Sequence, residues 1–338
     1  MSEILRIRDL AIDFNTSEGI VSAVRGVDLK ISEGEVLGLV GESGCGKSVT
    51  SLAVMGLLPK PEGVLKSGQI IFENKNLTAF REEEWQKIRG NEISMIFQEP
   101  MTALNPVLTI GDQLGEVLQV HKGIRLGSKE NIDICVENLI KVGIPRPQQV
   151  LNEYPHQFSG GMRQRIMIAM ALSCDPKLII ADEPTTALDV TIQAQILDLL
   201  RELKETMKTS ILFITHDLGV IHEMADRVMV MYAGKIVEEG PTKELFANPS
   251  HPYTQGLMHS RPGKVKKGDP LYCIPGMVPS GRQQIIGCAF EPRCQYSFRP
   301  CKTICPLLEF NEKGHGYACH LSKEGGIANV GKAVNISN

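Results

Sequence analysis

The sequence predicts an α/β fold: a phosphate-loop nucleotide-binding core with an antiparallel β-subdomain, an α-helical subdomain and a small loop-rich, cysteine-containing C-terminal extension. Three observations carry this. The stretch Gly41-Glu42-Ser43-Gly44-Cys45-Gly46-Lys47-Ser48 has the two glycines, Lys and Ser of a phosphate-binding loop, and lies between an apolar strand and a helical stretch. A second apolar strand ends on the acid pair Asp182-Glu183. Beyond about residue 250, Pro, Gly, Arg and Cys rise and helical periodicity fades.

Taken in order, residues 4–14 and 20–31 read as strands joined by a loop at 15–19, and Val27-Asp28-Leu29-Lys30-Ile31 alternates so that one face is buried. Phe14 stands where an aromatic ring could stack on an adenine, or where a strand residue simply faces the core. A turn at 32–35 leads into the strand 36–40 and then the phosphate loop. Its residues Gly41, Ser43, Gly44, Cys45 and Gly46, with Val49 just beyond, let backbone amides and the positive end of the next helix converge on an anion. Lys47 would supply a point charge to the β- and γ-phosphates of a nucleotide, and the Ser48 hydroxyl a magnesium ligand.

A helix over 48–58 follows, then strands at 68–72 and 93–97. Gln98 leaves the second strand toward the phosphate site, either to touch the magnesium or the attacking water, or as a plain loop amide. Residues 111–173 change character, with helical stretches at 112–122, 130–143 and 161–173. Ser159 is an N-cap for the last of these, and Gly160-Gly161 leave amides accessible at its start: a second anion-binding helix end or an ordinary capped helix.

The strand over 177–181 runs into Asp182 and Glu183, and carboxylates at the carboxyl end of a buried parallel strand face the ligand crevice of an open sheet. Asp182 would hold the magnesium and Glu183 would orient and polarise the attacking water. After a helix at about 190–208, the strand 210–215 ends at His216, which points into the same crevice and could donate to a phosphate oxygen. Residues 227–232 and 235–239 read as a closing hairpin.

The 338 residues carry a formal net charge of -3, with 42% hydrophobic and 22% charged residues. No run approaches the roughly 18 apolar residues of a membrane span, and the start of the chain has no hydrophobic signal core. A cytoplasmic location is expected. Near-neutral charge argues against a dedicated nucleic-acid binder.

Five separated motifs, in this order, resemble the ATP-binding cassette (ABC) ATPases: the phosphate loop, Gln98, the signature Phe158-Ser159-Gly160-Gly161-Met162, the Asp182-Glu183 strand and His216. The wording at 97–106, the flank 160–165, His251-Pro252-Tyr253-Thr254-Gln255-Gly256-Leu257 and the tail pattern at 287–294 with Cys301 and Ala318-Cys319-His320 resemble the dipeptide/oligopeptide permease branch. Met162 and Phe158 stand where the commonest signature has Gln and Leu.

The resemblance implies an ABC-type P-loop NTPase core over residues 1–250, with its helical subdomain at about 100–173, and an extension over 251–338. It implies an ATPase subunit at the cytoplasmic face of the cell membrane that powers peptide import. Two cassettes, copies or paralogues, would face head to tail. Ser159, Gly160 and Gly161 of one would contact the γ-phosphate held by Lys47 of the other, and Asp189 would link the two sites. Two transmembrane permease subunits would take up the motion near Gln98 and residues 99–106, with an extracytoplasmic substrate-binding protein acting indirectly. Nickel or glutathione import, or a soluble cassette acting on nucleic acid or ribosomes, are the alternatives; soluble cassette proteins commonly carry two cassettes or a coiled-coil insertion, and this chain shows neither.

The spacings of Cys288, Cys294, Cys301 and Cys305, with Cys319 beyond, suit a soft metal or an iron–sulfur cluster. By the branch pattern, a 4Fe-4S cluster would use Cys288, Cys294, Cys301 and Cys319, with Cys305 the alternative fourth ligand and Cys273 a bystander. Zinc is the weaker metal, because the two-residue gap of common zinc sites is absent. The competing reading makes these cysteines small buried hydrophobes. Tyr253 and His251 read as packing residues.

Overall fold

The computed structural model describes residues 2–186, 188–260 and 272–321. Strands β1 (Glu3–Thr16) and β2 (Gly19–Ser32) form a long antiparallel pair, with β3 (Val36–Val40) entering the other sheet. Helix α1 (Lys47–Val54), β4 (Gly63–Phe72), β5 (Lys75–Asn76), α2 (Glu82–Ile88) and β6 (Ile93–Ile96) follow. The first sheet has the order β2-β1-β4-β5 and is antiparallel throughout. Leu5, Ile7, Leu10 and Ile12 of β1 all point inward, although Leu10 stands three positions after Ile7; a register shift between them restores the phase.

Helices α3 (Pro100–Ala103), α4 (Ile110–Lys122), α5 (Lys129–Lys141), α6 (Pro147–Val150) and α7 (Gly160–Leu172) form one continuous helical stretch. The three long ones start on side-chain caps: Thr109 accepts from Asp112, Ser128 from Asn131 and Ser159 from Met162. Then come β7 (Leu178–Asp182), α8 (Val190–Met207), β8 (Ser210–Thr215), α9 (Leu218–Met224), β9 (Arg227–Tyr232) and β10 (Lys235–Pro241). The tail adds α10 (Thr242–Ala247), α11 (Pro252–His259), α12 (Arg299–Thr303), β11 (Glu309–Phe310) and β12 (Gly316–Tyr317).

The second sheet runs β11-β12-β10-β9-β3-β8-β7-β6, parallel from β9 to β6 and antiparallel from β9 outward. Strands β3, β7 and β8 are buried along their whole length, as apolar parallel strands covered on both faces must be. The two faces of β3 feed different cores. Leu37 and Leu39 pack with the antiparallel sheet, whereas Val36 and Val40 pack with the helices. Tyr253 and Phe290 of the tail belong to the second core, beside Tyr232.

This arrangement sets the site. The strands β3, β6, β7 and β8 are parallel neighbours, so the residues just past them gather along one edge of the sheet. Among the described residues, no helix is long and apolar enough to cross a membrane.

Candidate functional site

The phosphate loop leaves β3 at Gly41 and enters α1 at Lys47. A Cβ on Gly41 would lie 2.2 Å from the Met231 carbonyl oxygen, and Gly46 holds a φ of +108° with the Ala23 carbonyl 2.6 Å from its missing Cβ. Only glycine fits either place. Lys47 is buried, and its ammonium donates to the carbonyls of Gly41 (2.8 Å) and Glu42 (3.1 Å) and lies 3.7 Å from the Cys45 sulfur. Burial pushes the Cys45 thiol up, partly offset by Lys47.

Asp182 ends β7 with 4% of its surface exposed, accepting from the hydroxyls of Ser48 (3.1 Å) and Ser51 (3.2 Å). Burial raises its pKa; the two hydroxyls oppose the shift. A carboxylate and a hydroxyl meeting beside a phosphate loop are the hard oxygen donors that Mg²⁺ prefers, so Ser48 and Asp182 fit that ion.

Glu183 turns the chain sharply. Its φ is +47°, in the left-handed region uncommon for non-glycine residues, while its N–H donates to the Ile214 carbonyl at 2.8 Å. The turn presents its carboxylate to three groups. It accepts from the Gln98 amide (3.2 Å) and the Thr186 hydroxyl (2.9 Å), and its other oxygen lies 3.3 Å from Nδ1 of His216. Gln98, Glu183 and His216, from three strand ends, thus meet on one carboxylate.

The signature segment lies apart from this constellation on the surface of the helical stretch. Ser159 and Gly160 are exposed, and Ser159 caps α7 through the Met162 N–H at 3.4 Å. Gly161 is required sterically, since a Cβ there would meet Ile192 of α8 at 2.7 Å. Asp189 is exposed and caps α8, accepting from the Ile192 N–H at 3.0 Å, a local role that sequence reasoning missed. Phe14 is half-buried near the end of β1, paired with Val21 and Gly63 and packed against the core between the sheets.

Other participants also escaped the sequence. Ser51 follows Ser48 by three residues, so helical spacing puts both hydroxyls toward Asp182. Thr186 follows Glu183 at the same spacing. Tyr253 is more than a packing residue: its hydroxyl accepts from the Glu42 N–H of the phosphate loop at 2.9 Å. Arg293 bonds the Glu42 carboxylate at 3.1 and 3.2 Å. Separations of 211 and 251 residues left no local signal for either contact.

In the tail, Cys288, Cys294, Cys301 and Cys319 line one narrow cavity with His251, Phe290 and His320. None of the four cysteines is in a disulfide. Burial pushes Cys288 up to about 12 and Cys319 up to about 11, and raises Cys294. Cys305 lies instead beside the Lys235 ammonium at 3.3 Å, and Cys273 is exposed. Among the described residues, no group of three or more His, Cys, Asp or Glu side chains is arranged to hold a metal.

Residues 24–186 match the ABC transporter family, and residues 237–301 match the oligopeptide/dipeptide transporter C-terminal region. The oligopeptide transport ATP-binding protein AppD of Bacillus subtilis is 52% identical over 96% of this chain and 99% of its own length. This chain belongs to the ABC transporter ATP-binding proteins of the oligopeptide/dipeptide branch. The dipeptide transport ATP-binding protein DppD of the same organism is 49% identical, covering 96% of each chain. Among solved structures, the cassette MJ0796, described as a dimer in a post-hydrolysis state bound to ADP and Pi, is 28% identical with a TM-score of 0.63. It covers 71% of this chain, which covers 99% of it. The cbiO1 subunit of the Clostridium perfringens cbiONQ transporter complex is 28% identical with a TM-score of 0.61 over 73% of this chain and 92% of that one. As an ABC cassette, the chain is an ATPase.

Proposed function

We propose that this ABC subunit hydrolyses ATP to power import of di- and oligopeptides, working as one of two cassettes, copies or paralogues, packed head to tail. The observation that carries the hydrolytic reading is the meeting of Gln98, Thr186 and His216 on the Glu183 carboxylate, beside the phosphate loop and Asp182. The peptide reading is supported by near-full-length relatives named for oligopeptide and dipeptide transport.

In this mechanism, backbone amides of Ser43, Gly44, Cys45, Gly46 and Val49 and the amino end of α1 receive the triphosphate. Lys47 exchanges its bonds to the Gly41 and Glu42 carbonyls for the β- and γ-phosphates. Ser48 and Asp182, with Gln98 nearby, would hold Mg²⁺, which would supply neutralising charge for the phosphate oxygens. Glu183 accepts a proton from the attacking water, and His216 donates to a γ-phosphate oxygen. Phe14 stacks on the adenine. Ser159, Gly160 and Gly161 of the facing cassette close over the γ-phosphate, with Asp189 linking the two sites. ATP favours the closed pair, and loss of the γ-phosphate bridge releases it.

Two transmembrane permease subunits take up this motion, and hold the cassette at the cytoplasmic face of the membrane, with a substrate-binding protein acting outside. The exposed apolar Phe97, which directly precedes Gln98, and the exposed Val107 and Leu108 offer apolar surface for docking them. Residues 1–250 act as the cassette and 251–338 as the extension. Cys288, Cys294, Cys301 and Cys319 line one cavity, and a 4Fe-4S cluster there would require their thiols to draw closer together, since as placed no three of them are arranged to hold a metal. Copurification of two permease subunits with the chain, and peptide uptake that requires ATP, test the transport reading.

A further inference from the structure

The C-terminal extension touches the ATP site through two side chains that the hydrolytic mechanism does not use. Arg293 lies directly before Cys294, with 5% of its side chain exposed. Its guanidinium is held on several sides. Nε donates to the Pro275 carbonyl (2.9 Å), Nη2 to the Ile274 carbonyl (3.3 Å) and Nη1 to the Tyr232 hydroxyl (3.4 Å). The rings of Tyr232 and Phe290 lie 5.8 and 5.9 Å from its central carbon. A guanidinium so fixed presents Nη1 to both carboxylate oxygens of Glu42, at 3.1 and 3.2 Å. Tyr253, fully buried in the same aromatic group, accepts from the Glu42 backbone N–H. Burial drives its phenol far above the usual tyrosine range, so it remains neutral.

Glu42 is the second residue of the phosphate loop, and its carbonyl already accepts from Lys47. Its N–H, side chain and carbonyl are therefore each held by a different partner. The pairing with Arg293 has an electrostatic consequence as well as a geometric one. A carboxylate on a loop that receives a triphosphate repels its ligand unless a cation cancels it. Lys47 is needed for the phosphates, and Arg293 is the guanidinium that meets this carboxylate.

We propose that Arg293 and Tyr253 are positioning residues for ATP: the extension clamps Glu42 from behind, fixing the phosphate loop in its receiving shape and neutralising the carboxylate the loop carries. The proposal rests on the reading of this edge as the ATP site. It makes the extension a third wall of that site, reaching it from across the chain. Because Glu183, His216 and Gln98 stand on other strand ends, the clamp acts on nucleotide affinity and leaves the chemical step alone.

Steady-state ATP hydrolysis by the full chain in its transporter complex tests this, with KM and kcat resolved. A charge-assisted bond in a buried setting is worth enough that Arg293→Ala should raise KM for ATP about tenfold with kcat within about threefold. Arg293→Lys, which keeps the charge, should recover to within about threefold. Tyr253→Phe should raise KM about fivefold, the loss of one neutral hydrogen bond. The deciding variant is Arg293→Ala with Glu42→Gln: removing the stranded carboxylate should restore most of the lost affinity. A merely structural Arg293, serving only to hold the tail through Ile274 and Pro275, would not be rescued by a change at Glu42.

An unchanged KM in folded Arg293→Ala overturns the proposal. So does a fall in kcat and thermal stability together that Glu42→Gln fails to relieve. Should Arg293→Ala not fold, Tyr253→Phe decides, and a wild-type KM in that variant overturns the clamp. A wild-type complex that binds no ATP, or binds it undiminished with Lys47→Ala, refutes the underlying site instead.

Discussion

Glu183→Gln separates the chemical step from everything around it. Glutamine has the shape of glutamate, and its amide oxygen can still accept from Gln98 and Thr186, now at 3.2 and 2.9 Å. Its NH₂ can face His216 Nδ1, now 3.3 Å from the carboxylate. The side chain is 12% exposed, so the swap opens no cavity, and the φ of +47° is no worse for Gln than for Glu. Stability should therefore change by less than about 1 kcal/mol. What is lost is the base: a positioned carboxylate is worth about 10²–10⁴ in rate, or about 3–5 kcal/mol of barrier. Phosphate release should fall by that factor, while ATP affinity, set by Lys47 and the loop, stays within about threefold. The assay pairs phosphate release with equilibrium binding of ATP. Turnover within a few-fold of wild type would refute the assignment of Glu183. Loss of ATP binding would show that its carboxylate builds the site rather than running the reaction.

Three further outcomes follow from the same geometry. Ser159→Arg puts a bulky cation on the exposed start of α7, so it should abolish turnover by the paired cassettes while each phosphate loop still binds ATP; retained turnover would contradict closure by a second cassette. His251 is buried, and burial lowers its pKa from 6.5 to about 4, against the pull of Glu238. Its lowered folded value means that the neutral ring contributes stability in full above about pH 6.5, and that this is lost as pH falls toward 4, up to about 3 kcal/mol. Thermal melts across pH 4–7 should thus slope more steeply for wild type than for His251→Asn, and parallel slopes would remove the linkage. Protein purified without oxygen should contain iron and sulfide that Cys288→Ser removes; colourless protein with neither, or with stoichiometric zinc, would sink the cluster.

Much of the fold was legible because its signals are local. The buried strands Val36–Val40 and Ser210–Thr215 are continuous apolar runs bounded by turn residues, and α4, α5, α7 and α8 are long enough to show a helical period. The short helices α2, α6, α9, α10, α11 and α12 are four to eight residues long, too short for that period to emerge, and they went unforeseen. The site divides the same way. Gln98, Asp182, Glu183 and His216 announce themselves by standing at strand ends, because a parallel sheet sends such residues to one edge. Ser51 was readable in principle from its helical spacing to Ser48, whereas Thr186 meets Glu183 through the turn that follows β7. Arg293 and Tyr253 were not: their contact with Glu42 depends on how the tail folds back over β9, which no short-range pattern encodes. Asp189 illustrates a different limit, since the letter that marks a link between cassettes is also an N-cap, and both uses want the same carboxylate.

Peptide uptake driven by ATP tests the central claim most directly. In proteoliposomes holding the chain, its partner cassette and two permease subunits, with the substrate-binding protein and a labelled oligopeptide supplied on the opposite face, uptake should require ATP. It should fall with turnover in Glu183→Gln while ATP binding persists. Uptake that continues without ATP or with Glu183→Gln, or a complex that hydrolyses ATP yet moves no peptide, would contradict the account.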